Sequence, residues 1–261
     1  MSLIHVLGSD SGTEPMPGRK HTCWILENEG ELYWFDAGEY ASWSAHNQGF
    51  DLLKVRRIFI SHPHIDHTAG LPGLLWNIRK LMYVHQVEEI PPVELYTPDM
   101  PLVESVESFL ESTGSSVRNA YRLKVSRIAD GEIYHDSNVR VEARHTLHLG
   151  PVPAGELWRA FSFRITLGKK VIVFSGDVKS IDDMGDWIQE CDWLLMESGH
   201  HHPDQVCRTL AERKAKIGHL LWLHHGRDFL ADVRGTLLET CVKAYPECDV
   251  RLAKDGMTVE V

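Results

Sequence analysis

The chain has 261 residues, of which 43% are apolar and 25% are charged. This composition is typical of a folded globular protein and excludes a disordered or fibrous one. The formal net charge of -10 argues against a general affinity for nucleic acid, because proteins that bind polyanions usually carry a basic surface.

The first sixty residues predict a series of short strands, because apolar segments alternate with turns rich in glycine, asparagine or charge. These strands are expected at residues 3–7, 22–27, 32–35 and 56–61. A helix is predicted at residues 69–80, where leucine and isoleucine recur at helical spacing. The polar segment 62–67 therefore lies between a strand end and a helix, a position where functional sites are commonly built.

The remaining residues continue this alternation. Strands are predicted at residues 121–128, 139–146, 160–167, 171–175, 193–196 and 219–223, and helices at residues 102–112, 205–216 and 233–244. The strands on either side of Gly-Lys-Lys at 168–170 are expected to form a hairpin. No linker or internal repeat interrupts the chain, and the pattern predicts two β-sheets packed on each other with helices outside.

Sequence features also predict a cytoplasmic protein with no membrane partner. No segment approaches the ~18 consecutive apolar residues of a membrane span, and the N-terminal residues have neither a basic flank nor a cleavage site. The cysteines are odd in number and lack a CxxC pair, so they are expected to be reduced core residues. They are Cys23, Cys191, Cys207, Cys241 and Cys248.

Residues 62–67 read His-Pro-His-Ile-Asp-His and hold three imidazoles and one carboxylate. Both groups are suitable ligands for zinc, iron or manganese. On a turn, His62 and His64 can face one ion while Asp66 and His67 reach a second. The alternative explanation is a set of solvated or capping histidines in a loop.

The segment 58–75, IFISHPHIDHTAGLPGLL, resembles the metallo-β-lactamase superfamily, and within it the branch of ribonuclease Z and the cyclic-phosphate phosphodiesterases. The glycine turn at 6–12 and Trp-Phe-Asp-Ala-Gly-Glu at 34–39 resemble the same branch, in the same order. The resemblance extends over nearly the whole chain. It implies a single hydrolase domain over residues 1–261 with an α/β fold, an αββα sandwich of two mixed β-sheets, and two divalent ions, zinc first, with manganese or iron as alternatives.

The resemblance also implies the remaining metal ligands. A histidine after a mid-chain strand is expected at His148 rather than His145, and Asp177 resembles the bridging carboxylate, although a Ser-Gly-Asp sequence alone is usually a turn. The last ligand is expected at His225, with His224 in the variable position before it. The implied set places His62, His64 and His148 on one ion and Asp66, His67 and His225 on the other, with Asp177 between them.

Three residues are expected to act in catalysis. Asp66 would orient a bridging water, whose pKa two cations lower enough to give hydroxide near pH 7. Glu197 would hold a ligand imidazole by its other nitrogen, although an ordinary acid at a strand end is the alternative. From the run His200 to His202, His202 is preferred as the general acid that protonates the leaving oxygen, and a surface histidine run is the alternative.

The predicted reaction is hydrolysis of a phosphodiester, in a small cyclic phosphate or a nucleotide, by metal-bound hydroxide. Ribonuclease Z acting on transfer RNA is the main alternative. Those enzymes carry a long arm between the third metal histidine and the bridging aspartate, whereas this chain has only the loop 149–158 and a hairpin there. Nucleic acid is therefore disfavoured as a partner. A lactonase, a thioesterase or a non-hydrolytic biosynthetic protein of the same fold is kept as a further alternative.

The substrate rim is expected at residues 83–90 and 149–158. Trp43, Trp76 and Trp158 fit packing and base stacking equally well. A homodimer is compatible with this interpretation.

Overall fold

The computed structural model describes residues 2–261, which form two compact units. The first unit takes the chain up to Ile128 and then Lys254–Glu260, and the second takes Ala129–Ala253 and Val261. Each unit holds one seven-stranded mixed sheet and its own helices. The predicted fold class of two mixed β-sheets flanked by helices is therefore confirmed, whereas the single domain stays a prediction.

The sheet of the first unit has the strand order β14-β1-β2-β3-β4-β5-β6. Its strands are β1 Ser2–Gly8, β2 Cys23–Asn28, β3 Glu31–Phe35, β4 Val55–Phe59, β5 Val93–Thr97, β6 Leu123–Arg127 and β14 Thr258–Glu260. The pairs from β14 to β3 are antiparallel, and those from β3 to β6 are parallel. The helices are α1 Ala41–Asn47, α2 Ile65–Thr68, α3 Leu71–Val84 and α4 Met100–Ser112, with a 3-10 turn at Leu52–Lys54.

The two faces of this sheet have different packing, because successive side chains of a strand point to opposite faces. One face belongs to a hydrophobic cluster that includes Ile58 and the buried residues Leu71, Leu74 and Ile78 of α3. The other face carries an aromatic ladder across β2 to β5. Its members are Trp24, Phe35, Phe59 and Tyr96, with ring centroids 4.2, 5.0 and 5.0 Å apart in that order.

The sheet of the second unit has the strand order β13-β12-β11-β10-β9-β8-β7. Its strands are β7 Gly131–His135, β8 Arg140–His145, β9 Phe161–Leu167, β10 Lys170–Phe174, β11 Glu190–Glu197, β12 Lys216–Leu223 and β13 Asp249–Leu252. The pairs from β7 to β10 are antiparallel, and those from β10 to β13 are parallel. The helices are α5 Pro203–Glu212, α6 Arg227–Ala231 and α7 Thr236–Ala244, with 3-10 turns at Ile181–Ile188.

Every predicted strand and helix is present, with ends shifted by a few residues. The hairpin is confirmed as β9 and β10, with Leu167 opposite Lys170. The sequence did not predict the short elements α1, α2, α6, β5, β7, β13 and β14 or the 3-10 turns. Prolines at positions 91, 92 and 98 border β5 and obscured its strand pattern.

The structure also bears on the cysteines and on membrane insertion. All five cysteines are free and buried, as the sequence predicts. Among the described residues, none of the helices combines the length and the apolar character that a bilayer crossing needs.

Candidate metal centre

The candidate ligands of the first unit lie just beyond the carboxyl end of β4. His62 and His64 precede α2, and Asp66 and His67 lie within it. The ring centroids of His62 and His64 are 4.7 Å apart, and those of His62 and His67 are 4.1 Å apart. His62, Asp66 and His67 are buried, and His64 is exposed. The structure thus brings three imidazoles together, and each of them can bind a metal.

Asp36 orients His67 within this group. Its Oδ2 lies 2.7 Å from Nδ1 of His67, and both side chains are fully buried. Ser61 donates to the same carboxylate twice, from its backbone N at 2.7 Å and from its Oγ at 2.8 Å. A carboxylate on Nδ1 leaves Nε2 as the ligand nitrogen of a metal-binding histidine. That Nε2 lies 3.5 Å from Oδ2 of Asp66.

The backbone at Asp36 is unusual, with a φ of 54° in the left-handed region. Non-glycine residues rarely adopt this conformation, and it is often found at functional sites, where the surrounding structure enforces it. At this position the chain leaves β3 and turns towards Ser61 and His67. The contact with His67 joins positions 31 residues apart.

In the second unit, Asp177 lies between two imidazoles. Its Oδ2 is 3.5 Å from Nε2 of His148, and its Oδ1 is 3.4 Å from Nε2 of His224. Asp177 follows β10 after Gly176, whose φ of 53° favours glycine. The Thr146 hydroxyl donates to the backbone carbonyl of Asp177 at 2.8 Å and so links this turn to the loop that bears His148.

His200 is the third imidazole of this cluster. Its Nδ1 is 3.7 Å from Oδ2 of Asp177, and its ring centroid is 4.8 Å from that of His148 and 5.6 Å from that of His224. One ligand atom from each of Asp177, His200 and His224 lies within 4.8 Å of the others. The second unit therefore contributes one carboxylate surrounded by imidazoles.

Glu197, at the end of β11, organises the histidine run. It is fully buried and accepts a hydrogen bond from the backbone N of His200 at 2.9 Å. Its Oε1 is 3.1 Å from Nδ1 of His200 and 3.3 Å from Nε2 of His201. Burial raises the pKa of Glu197. The hydrogen bonds from these two imidazoles, together with the charge of the nearby His224, outweigh this effect and hold the pKa well below its usual value. Glu197 is therefore a carboxylate at neutral pH.

The two residues of the late histidine pair, His224 and His225, have different surroundings. His225, the predicted ligand, is buried with Nε2 2.8 Å from the carbonyl oxygen of Ala253 and Nδ1 3.3 Å from Oγ of Ser198. Its ring nitrogens thus face protein groups, and His224 is the imidazole beside Asp177. The strand β12 ends at Leu223, and His224, the first residue beyond it, has a left-handed φ of 52°.

His202, the residue predicted to act as general acid, lies at the surface. It is exposed at the start of α5, with Nδ1 3.0 Å from Oδ2 of Asp228, whereas His200 lies beside Asp177. The contacts of His202 thus favour the surface alternative for this residue. Glu197 is closest to His200 and His201, and its predicted contact with a ligand imidazole stays a prediction.

His145 and His148 have separate surroundings. Nδ1 of His145 is 2.7 Å from Oδ2 of Asp130, and its ring stacks on Trp158 with centroids 4.0 Å apart. His148, in contrast, faces Asp177. This placement favours His148 as the ligand.

The donors in both units fit divalent ions. They are imidazoles and carboxylates, which bind zinc, manganese and iron. The pairing of Asp36 with His67 is the support that metal-binding histidines usually have. Asp36 lies in the segment 34–39 that resembles the family, but no sequence signal predicted its contact with His67. The three histidines at 200–202 have the same local sequence signal, which does not single out His200.

The chain was compared with known proteins. Residues 35–238 match a family model described as "Beta-lactamase superfamily domain". A Ribonuclease Z from Methanothermobacter thermautotrophicus is 25% identical over an alignment of 318 residues, which covers 100% of this chain and 97% of the relative. This match confirms the predicted resemblance to the ribonuclease Z branch.

Two solved structures are also similar. The metallo-beta-lactamase fold protein YhfI from Bacillus subtilis has a TM-score of 0.78 and 18% identity, with 100% of this chain and 99% of that one covered. The short form of human tRNase Z has a TM-score of 0.73 and 21% identity, with the same coverage. At these identities, the similarity shows the fold.

Proposed function

This chain belongs to the beta-lactamase superfamily, and on that premise we propose that it is a dinuclear metal-dependent phosphodiesterase acting on a small cyclic phosphate or a nucleotide. The observation that carries the proposal is the position of Asp177, with one oxygen beside His148 and the other beside His224. A carboxylate with one oxygen beside each of two imidazoles is suited to bridge two metal ions.

The proposed ligands come from both units. His62, His64 and His148 would share one ion, and Asp66, His67 and His224 the other, with Asp177 common to both. His224 takes the place first predicted for His225. Two divalent ions, with zinc as the first choice, would supply a water of low pKa and would stabilise negative charge on the phosphate.

Residues around the ligands would prepare the site. Asp36 keeps His67 in the tautomer that presents Nε2, and Asp66 would orient the attacking water. His200 is the proposed general acid instead of His202, because Glu197 holds its Nδ1 beside the Asp177 cluster. That contact leaves Nε2 of His200 to donate a proton to the leaving oxygen.

Substrate size is inferred from charge and from the loop after His148. A net charge of -10 opposes attraction of a large polyanion. Ten residues, 149–158, lead from His148 to Trp158, which is held against His145. This short loop replaces the long arm that the resemblance associates with transfer RNA binding.

A ribonuclease Z-type 3' endonuclease acting on transfer RNA is the second candidate. A relative named Ribonuclease Z aligns along the full length of the chain, which favours this reaction. Lactonases and thioesterases use the same fold and stay as alternatives, because fold alone does not determine the substrate.

The test is turnover by protein of measured metal content, with five substrates in parallel: bis-p-nitrophenyl phosphate, a cyclic nucleotide, a transfer RNA precursor with a 3' trailer, a lactone and a thioester. We expect phosphodiester hydrolysis that requires about two ions per chain. Asp177→Ala and His64→Ala should each lose bound metal and about 100-fold or more in activity, whereas His46→Ala, at an exposed helical position, should match the wild type.

Each result has a separate meaning. Cleavage of the transfer RNA precursor alone would favour the ribonuclease Z reaction. Turnover of the lactone or the thioester alone would keep the metal centre and overturn the substrate class. Full activity in Asp177→Ala would overturn the site itself.

A further inference from the structure

We infer that the turn after β1, residues 9–12, positions the carboxylate of Asp66, and that Gly12 is a glycine because a side chain there would displace that carboxylate. Residues 9–12 are called the β1 loop below. The inference rests on the proposed function in one respect, namely that Asp66 is a metal ligand.

Gly12 lies directly against the carboxylate of Asp66. A Cβ atom added to Gly12 would be 3.1 Å from Cγ, 3.1 Å from Oδ2 and 3.3 Å from Oδ1 of Asp66. These separations are shorter than ordinary van der Waals contact, so one of the two groups would have to shift by a few tenths of an ångström. The φ of Gly12 lies outside the left-handed region, and its backbone conformation is open to other residues. Glycine is therefore required at position 12 because there is little room for a side chain, and not because of the backbone conformation.

Hydrogen bonds hold the start of the β1 loop, so the loop cannot move easily. Ser9, fully buried, donates to Oδ1 of Asp255 from its backbone N at 3.0 Å and from its Oγ at 2.8 Å. Arg19 donates to Oγ of Ser9 at 3.1 Å, and Nζ of Lys20 is 3.4 Å from Oδ2 of Asp255. The loop is thus tied to the C-terminal segment of the first unit and to the connection between β1 and β2.

The turn after β3 confines the backbone of Asp66. A Cβ atom on Gly38 would be 2.5 Å from the carbonyl oxygen of Asp66, which shows how closely the turn after β3 approaches α2. The backbone N of Ala37 donates to the carbonyl oxygen of His67 at 2.7 Å. With its backbone held by this turn, Asp66 has little freedom to compensate for a displaced carboxylate.

A metal ligand must keep its position within a few tenths of an ångström, because metal–oxygen distances are narrowly defined. The methyl group of an alanine at position 12 would displace the carboxylate of Asp66. The affinity for the ion that Asp66 binds should therefore fall. Loss of an interaction that supports a ligand typically lowers metal affinity 10-fold to 100-fold.

The experiment compares Gly12→Ala with Gly73→Ala in the full chain. A Cβ on Gly73 would be 3.6 Å from Oγ of Ser42, an ordinary contact, and its φ is likewise outside the left-handed region. Zinc affinity is measured by competition with a chelating dye, and bound metal by elemental analysis. In Gly12→Ala, we expect about 10-fold to 100-fold weaker binding of one ion and an unchanged Tm of the metal-free protein. Gly73→Ala should bind both ions like the wild type.

Unchanged zinc affinity in Gly12→Ala would overturn the inference, as would loss of both ions together with a lowered Tm of the metal-free protein. If Gly12→Ala does not fold, Asp255→Asn provides the second test, since it loosens the β1 loop without filling space. Asp255→Asn should lower the affinity for the same ion, and wild-type zinc affinity in that variant would then count against the inference.

The metal readout separates this inference from the proposed function. A wild-type protein that binds two ions but hydrolyses no phosphodiester would overturn the proposed function, and selective loss of one ion in Gly12→Ala would still support the role of the β1 loop.

Discussion

The carboxylate of Asp36 and the imidazole of His67 form a fully buried pair, with 2.7 Å between Oδ2 and Nδ1. The pair connects the end of β3 to α2, and it selects Nε2 as the nitrogen that His67 can present to a metal. The same carboxylate accepts two hydrogen bonds from Ser61 at the end of β4. Asp36 therefore holds the ends of β3 and β4 and the candidate ligand His67 in fixed positions relative to one another.

Asp36→Asn should lower zinc affinity about 10-fold to 100-fold, because an amide cannot stabilise the required tautomer of His67 as a carboxylate does. Urea unfolding of the metal-free protein should show a loss of about 1–3 kcal/mol, since buried hydrogen bonds are disturbed. The control is Asp51→Asn, where the aspartate accepts a hydrogen bond from Leu53 N on the surface. Wild-type zinc affinity in Asp36→Asn would contradict this role.

His224→Ala and His225→Ala should have different effects, the first mainly on bound zinc and the second mainly on stability. The first removes an imidazole beside Asp177 and should reduce bound zinc strongly. The second removes a buried ring that bonds to Ala253 and Ser198, and it should cost about 1–3 kcal/mol of unfolding free energy, with a smaller effect on zinc in the folded protein. Elemental analysis and urea unfolding of both variants measure the two effects. A larger zinc loss in His225→Ala would restore the original prediction.

His148→Ala should lose more metal than His145→Ala, because only His148 faces Asp177. His145→Ala instead removes the ring that stacks on Trp158, so its main effect should be a change in tryptophan fluorescence. Metal content and emission spectra of both variants provide the comparison. The reverse ranking of metal loss would transfer the ligand role to His145.

His200→Ala should slow the hydrolysis of diesters with poor leaving groups by about 100-fold to 10,000-fold, because these need a proton on the departing oxygen. The effect on bis-p-nitrophenyl phosphate should be much smaller, since p-nitrophenolate leaves without protonation. His202→Ala, an exposed variant of the same histidine run, is the control and should affect neither substrate. A leaving-group dependence in His202→Ala and none in His200→Ala would reverse the assignment.

Local sequence was enough to predict the longer elements and the first ligand group. The apolar spacing of α3 repeats within a few residues, and β1 to β4 are short apolar segments bounded by turn residues. Residues 62–67 concentrate their donors in one short segment. Such signals do not depend on distant parts of the chain. The fold class and the relationship to the ribonuclease Z branch could therefore be predicted from the sequence.

In two histidine groups, 200–202 and 224–225, tertiary contacts distinguish the residue that lies beside Asp177. His224 lies one residue past the end of β12, and its left-handed φ of 52° turns its side chain out of the strand alternation. His200, and not His202, lies beside Asp177, which follows a different strand, β10, and hydrogen bonds to Glu197 help to hold His200 there. Neighbouring residues of the same type have nearly the same sequence signal, so it is the exact strand end and the distant partners that distinguish them.

The pairing of Asp36 with His67 and the contact of Gly12 with Asp66 also belong to the tertiary structure. Each joins segments far apart in the chain, and a sequence pattern contains no distance between such segments. The kinds of ligand atom and the strands that carry them follow from the local sequence. Folding decided which donors meet, because side-chain direction depends on backbone torsion and on long-range packing.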